Sequence, residues 1–184
     1  MSSWEISQIR STSASEFDDS SIYTPTTTTE NVPTGLVEGH DVRSRVPTHG
    51  STYIIRAVSS ENVMTLLDGQ VILAPIGSRG CIYWTCVETE GWLGFRSCSS
   101  KKFICYDWDA RLKCTAEQKD GHRQFTITPV PKGGYIMQML DWWRLRPIVL
   151  NPENGAQKLA RTGDMLSDGI VWEFIKAEEG SAMG

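Results

Sequence analysis

The side chains in this chain that could do chemistry are few. Five cysteines stand at positions 81, 86, 98, 105 and 114, and the nearest histidine beyond them is His122. A catalytic thiol needs a base within about 3 Å and donors for an oxyanion. Cys98 or Cys114 with His122 would be the pair to test, but no nucleophile signature surrounds either cysteine. A zinc site wants paired ligands at short spacing, and this odd set contains no Cys-x-x-Cys, so no metal site is expected. Asp107, Asp109 and Asp120 lie close enough in sequence to pair, yet loop aspartates are commonly solvated. Gly133-Gly134 reads as a turn, and no glycine-rich phosphate loop is present. The expectation is a protein without catalytic residues, metal or cofactor.

Binding chemistry is better represented. Trp108 stands in Asp107-Trp108-Asp109, and Trp142-Trp143 precede Arg144 and Arg146. Trp and Arg are enriched in interface hot spots and stack on planar or sugar faces. Adjacent residues of a strand point to opposite faces, so extended chain here would expose one of Trp142 and Trp143. These seven residues, Asp107, Trp108, Asp109, Trp142, Trp143, Arg144 and Arg146, form the candidate ligand-binding set. Lys101-Lys102 with Arg96 makes a smaller basic spot, read as a solvated turn.

Composition narrows the class. The 184 residues carry 18 Lys+Arg and 22 Asp+Glu, a net charge of -4. Residues 1–51 hold all of this excess, and residues 1–30 contain 14 Ser or Thr. Many hydroxyls, excess acid and little hydrophobicity do not offset ordering entropy. Residues 1–45 are therefore expected to be a disordered tail, in which Trp4, Ile6, Ile9 and Phe17 could serve as a short docking motif. Mild acidity argues against nucleic acid, and no apolar run reaches the length of a membrane span. The start lacks a basic region followed by an apolar one, so reduced thiols in the cytoplasm are the expected setting.

From residue 52 onward the pattern changes. Tyr53–Val58, Val71–Ala74, Phe125–Thr128 and Val171–Ile175 are short, β-branched and aromatic, and bounded by turn residues. A weak threefold repeat runs through this region. Units over 52–91, 92–134 and 135–180 begin at Tyr53, Trp92 and Tyr135 and close on Trp84, Phe125 and Trp172. Asp68-Gly69, Asp109-Ala110 and Asn154-Gly155 mark a hairpin turn in each; Asp-Gly and Asn-Gly suit type I′ geometry. Three units of about four short strands predict an all-β fold, a β-trefoil over 46–180: six strands form a barrel and six form hairpins over one end. On that fold, Trp108 and one of Trp142 and Trp143 could instead cover the open barrel end.

Gly91-Trp92-Leu93-Gly94-Phe95-Arg96, the Gly133-Gly134-Tyr135 start and Trp172-Glu173-Phe174 resemble the unit boundaries of fascin-like (actin-crosslinking-like) β-trefoils. They are most similar to single-trefoil proteins of filamentous fungi. That resemblance implies a non-catalytic binding module with a protein partner, actin among the candidates. Fascins join several trefoils to bridge filaments, and one trefoil here does not suit bundling. Two alternatives stand beside it. A carbohydrate-binding lectin of ricin type would use Asp107, Trp108 and Asp109, although the Gln-x-Trp of such lectins is missing: Ile82, Arg123 and Ile170 stand two residues before the closing aromatics. A protease-inhibitor trefoil would present Ser99-Ser100-Lys101-Lys102.

Overall fold

Six strands of this chain close into a ring. The computed structural model describes residues 46–117, 124–153 and 156–178. The expected tail, Asp120, His122, Arg123 and Asn154-Gly155 lie outside these. The strands are β1 (Thr52–Ala57), β2 (Val63–Leu67), β3 (Gln70–Ala74), β4 (Tyr83–Thr89), β5 (Trp92–Ser97), β6 (Phe103–Tyr106) and β7 (Leu112–Ala116). They continue as β8 (Phe125–Pro129), β9 (Tyr135–Asp141), β10 (Arg144–Pro147), β11 (Val149–Glu153), β12 (Ala156–Ala160) and β13 (Val171–Lys176). Antiparallel pairing runs β1–β4–β5–β8–β9–β13 and returns to β1, so the barrel has no free edge. Hairpins β2–β3, β6–β7 and β11–β12 meet through Gln70↔Lys113, Lys158↔Ile72 and the bridge Arg111↔Ala160. This is the β-trefoil, and the hairpin triplet caps one barrel end.

Each barrel strand alternates inward and outward residues. Register places Ile55, Phe95 and Met137 at one inward level, all fully buried, and Ala57, Ser97 and Met139 at the next. The closing aromatics face this second level: Trp84 opposite Ser97, Phe125 opposite Met139 and Trp172 opposite Ala57. Two indoles therefore meet the two small partners, and the smaller phenyl ring meets methionine. Volume is conserved at each place even though sequence is not, as close packing requires. Phe95 stacks on Phe174 at 5.9 Å and meets Phe125 edge-on at 5.4 Å, joining aromatic side chains of all three strands at the core.

Register also corrects the repeat. Trp92 is not the counterpart of Tyr53 and Tyr135; Leu93 is, because Leu93 lies two residues before Phe95 as Tyr53 lies two before Ile55. An aromatic one residue out of phase points away from the core, and Trp92 is only half-buried. In the third unit the strand equivalent to β2 and β6 is broken at Ile148. Its N–H bonds Met137 O and its carbonyl accepts from Ile170, so it is buried without joining a ladder. The turns divide likewise. Asp68 and Gly69 both have positive φ (49° and 78°), the type I′ pattern. Asp109-Ala110 is not a two-residue turn. Ala110 N–H bonds Asp107 O at 2.9 Å and Asp107 N–H bonds Arg111 O at 3.0 Å, a three-residue loop with Ala110 alone left-handed at φ 60°.

Two stability outcomes follow from these positions. Trp84 Nε1 donates to Met64 O at 2.9 Å, whereas Trp172 Nε1 is buried without a partner among the described residues. Trp84→Phe should cost about 1–3 kcal/mol by orphaning a buried carbonyl, and Trp172→Phe should cost well under that; chemical denaturation checks both. Ala110→Gly should raise the thermal midpoint, since it removes a left-handed penalty of roughly 1 kcal/mol.

Candidate binding surface

The β6–β7 loop is built by Asp107. Its Oδ1 accepts the N–H groups of Asp109 and Arg111, both at 3.0 Å, and its Oδ2 lies 2.9 Å from Lys113 Nζ. Burial alone would raise this carboxyl, but the Lys113 ammonium and the two amides outweigh it and hold it below its ordinary value. Asp107 thus spends its acceptors on its own loop, as an Asx turn does. The next residue, Trp108, is fully exposed at 104%. Asp109 is exposed, 3.5 Å from Arg111.

Trp142 and Trp143 are both exposed, at 85% and 88%. The expectation of one in and one out is corrected by register. Arg144 pairs with Asp141, so the two indoles are the central residues of a two-residue turn between β9 and β10 rather than extended chain. Trp142 has φ 56°. A bulky residue in the left-handed region is uncommon, and such strain gathers where function requires a particular display. None of the three tryptophans covers the barrel; the hairpins do that.

Arg161 ties the two turns together. It is buried, its guanidinium lies 3.4 Å over the Tyr106 ring, and its Nη1 is 2.8 Å from Asp141 Oδ2. Its backbone N–H bonds Ala110 O at 3.0 Å. One residue therefore grips the Trp108 loop through its main chain and the base of the Trp142-Trp143 turn through its side chain. Asp141 Oδ2 also takes Arg146 Nε at 3.0 Å; Arg146 Nη1 reaches Asp164 Oδ1 at 2.8 Å, and Arg144 donates to the Asp164 carbonyl at 2.9 Å. The loop offering Asp164 is closed by Asp168, which accepts from the amides of Asp164 and Met165. The ion pair with Arg161, against a small cost of burial, holds the Asp141 carboxyl below its ordinary range.

The structure thus ties the Trp108 loop, which contains Asp109 and is built by Asp107, to the Trp142-Trp143 turn through Arg161, with Arg144 and Arg146 on the strand that leaves that turn. Arg161, Tyr106 and Asp164 carry no sequence signal that would join them to it. Asp141 does, since it and Arg144 flank the two indoles at the turn positions that pair. Elsewhere, Cys114 is buried, its thiol donates to Lys102 O at 3.1 Å, and burial raises its pKa, which is the wrong direction for a nucleophile. Lys102 of the basic spot lies 3.5 Å from Glu117. Among the described residues no three metal-ligating side chains are placed to share an ion, and no helix is long and apolar enough to cross a membrane.

No protein-family model matches the chain, and no curated protein does. Solved structures do match. The ricin B-like lectin of Macrolepiota procera, solved with lactose, is 16% identical with a TM-score of 0.56, over 72% of this chain and 100% of that one. The Rhizoctonia solani agglutinin is 16% identical with a TM-score of 0.53, over 72% and 99%. The designed threefold-symmetric protein ThreeFoil is 11% identical with a TM-score of 0.55, over 68% and 99%. At such identities the likeness shows the trefoil fold.

The Asp141 ion pairs set a pH test. A carboxyl depressed on folding contributes stability above its unfolded pKa of about 3.9 and loses it as pH falls through the folded value. Asp141→Ala should therefore lower stability at pH 7 by about 2 kcal/mol, by removing hydrogen bonds to charged groups. The gap to the parent should close progressively below pH 4 in denaturant titrations.

Proposed function

We propose that the chain is a non-catalytic carbohydrate-binding trefoil and that Trp108, Trp142 and Trp143 are its contact surface. The observation that carries this reading is the clamp itself: three exposed indoles on two turns, held in common by one buried arginine. Indole faces stack on the C–H faces of sugar rings, while the neighbouring carboxylates and guanidinium groups offer acceptors and donors to hydroxyls. Solved structures of a lactose-bound lectin and an agglutinin share the fold and support the choice. The ligand surface lies around Trp142-Trp143 and extends to Trp108, rather than being confined to Asp107-Trp108-Asp109 as the lectin alternative expected.

A protein partner, the reading the fascin-like resemblance implies, is favoured by one feature. The indoles project from turns instead of lining a hollow, as anchors that enter a pocket on a partner do. The cytoplasmic setting belongs with this reading and is proposed with it.

A glycan array followed by calorimetry separates the two. Carbohydrate binding should appear for the parent protein and fall at least tenfold for Trp142→Ala/Trp143→Ala, with the thermal midpoint unchanged because both side chains are exposed. An array without hits ends the glycan reading. Cosedimentation with filamentous actin that also depended on Trp142 and Trp143 would then establish the second.

A further inference from the structure

An open groove of about 900 Å³ lies one unit earlier in the fold than the tryptophan surface. Its walls are the β2–β3 turn, the β3–β4 connection and the β5–β6 loop. The tryptophan surface uses the β6–β7 loop and the β9–β10 turn, which are the pseudo-threefold equivalents of the first and third of these. The indoles are replaced here by cations and sulfur: Arg79, Lys101, Cys81 and Cys98 all line the groove, with Ser99 beside them and Asp68 as its one carboxylate. Arg79 and Lys101 are exposed, and among the described residues neither has an acid partner.

The groove presents Cys81 by a specific device. Gly80 has φ 118°, and a Cβ there would meet Leu66 O at 2.5 Å. That close approach lets Cys81 form both bonds of an antiparallel bridge with Leu66, at 2.8 and 2.9 Å, which fixes its side chain at the groove wall. The thiol is half-buried beside the hydroxyls of Ser97 and Ser99. Burial lifts it, but those hydroxyls and the Tyr83 and Ser99 backbone bring it below its ordinary value. Burial instead raises Cys86, to about 11, and Cys114.

We propose that this groove is a covalent modification site, in which Arg79 and Lys101 capture an acidic disulfide of the glutathione class and Cys81 exchanges with it. The Cys81 thiolate attacks one sulfur of the disulfide. A new S–S bond forms as the old one breaks, and the departing thiolate takes a proton from water. The incoming disulfide is the oxidant, so electrons balance. Two cations that line the same groove as the thiol, neither with an acid partner among the described residues, favour an anionic disulfide over a cationic one, because opposite charges raise the local concentration of the reagent. This site is independent of the carbohydrate reading.

The test compares two disulfides on the full chain. With glutathione disulfide, peptide mapping should place the adduct on Cys81 before the other four cysteines, and Cys81→Ser should abolish that early adduct. Arg79→Ala/Lys101→Ala should slow glutathione addition about tenfold, and the difference should shrink in high salt. The same variant should react with cystamine, a cationic disulfide, as fast as the parent or faster. First modification at Cys98, or equal slowing of both disulfides, would overturn the proposal.

Discussion

Closure of the barrel through β13 and β1 is the constraint on which the rest depends. Five residues of β1 pair with five of β13, more than a hundred positions later in the chain. Until that seam forms, the first and last barrel strands are open edges and the aromatic core lacks a wall. Once it forms, register is fixed around the whole ring, since slipping any pair by one residue would turn every inward side chain outward. The pseudo-threefold level of Ile55, Phe95 and Met137, and the matched volumes of Trp84 with Ser97, Phe125 with Met139 and Trp172 with Ala57, are the consequence.

The same symmetry lets the surface diverge. Residues facing the axis must fit two other units at once, so they change only in compensated pairs. Turn residues answer to nothing but their own φ and ψ and to solvent. The three β-turns that leave the barrel between first and second strands show the range: five connecting residues, 58–62, then five, 98–102, then two tryptophans. Exposed indoles accumulate where core packing places no demand.

How far the sequence was legible follows from that division. The trefoil could be read because Asp68-Gly69, the closing aromatics and the short β-branched runs are local signals of the fold. The Trp92 phase was misread because an aromatic beside glycine looks like a core residue, and only pairing with Thr89 shows which way it points. The Trp142-Trp143 turn carries no turn signal in sequence, because neither residue is a turn former, so whether this stretch is extended stays open there; the chain bends because β9 and β10 pair through Asp141 and Arg144. Arg161 was invisible, since its role rests on contacts with Tyr106, Ala110 and Asp141, from 20 to 55 positions away. Its neighbours in sequence say nothing of them.

Shortness of the β9–β10 connection has a further effect on recognition. A five-residue excursion must lose conformational freedom when it grips something, and that loss is subtracted from affinity. Two indoles fastened directly to paired strands, with an ion pair at their base, have already surrendered that freedom during folding. A two-residue turn fixed in this way holds its backbone without slack, so a contact there would have to order only the indole side chains themselves.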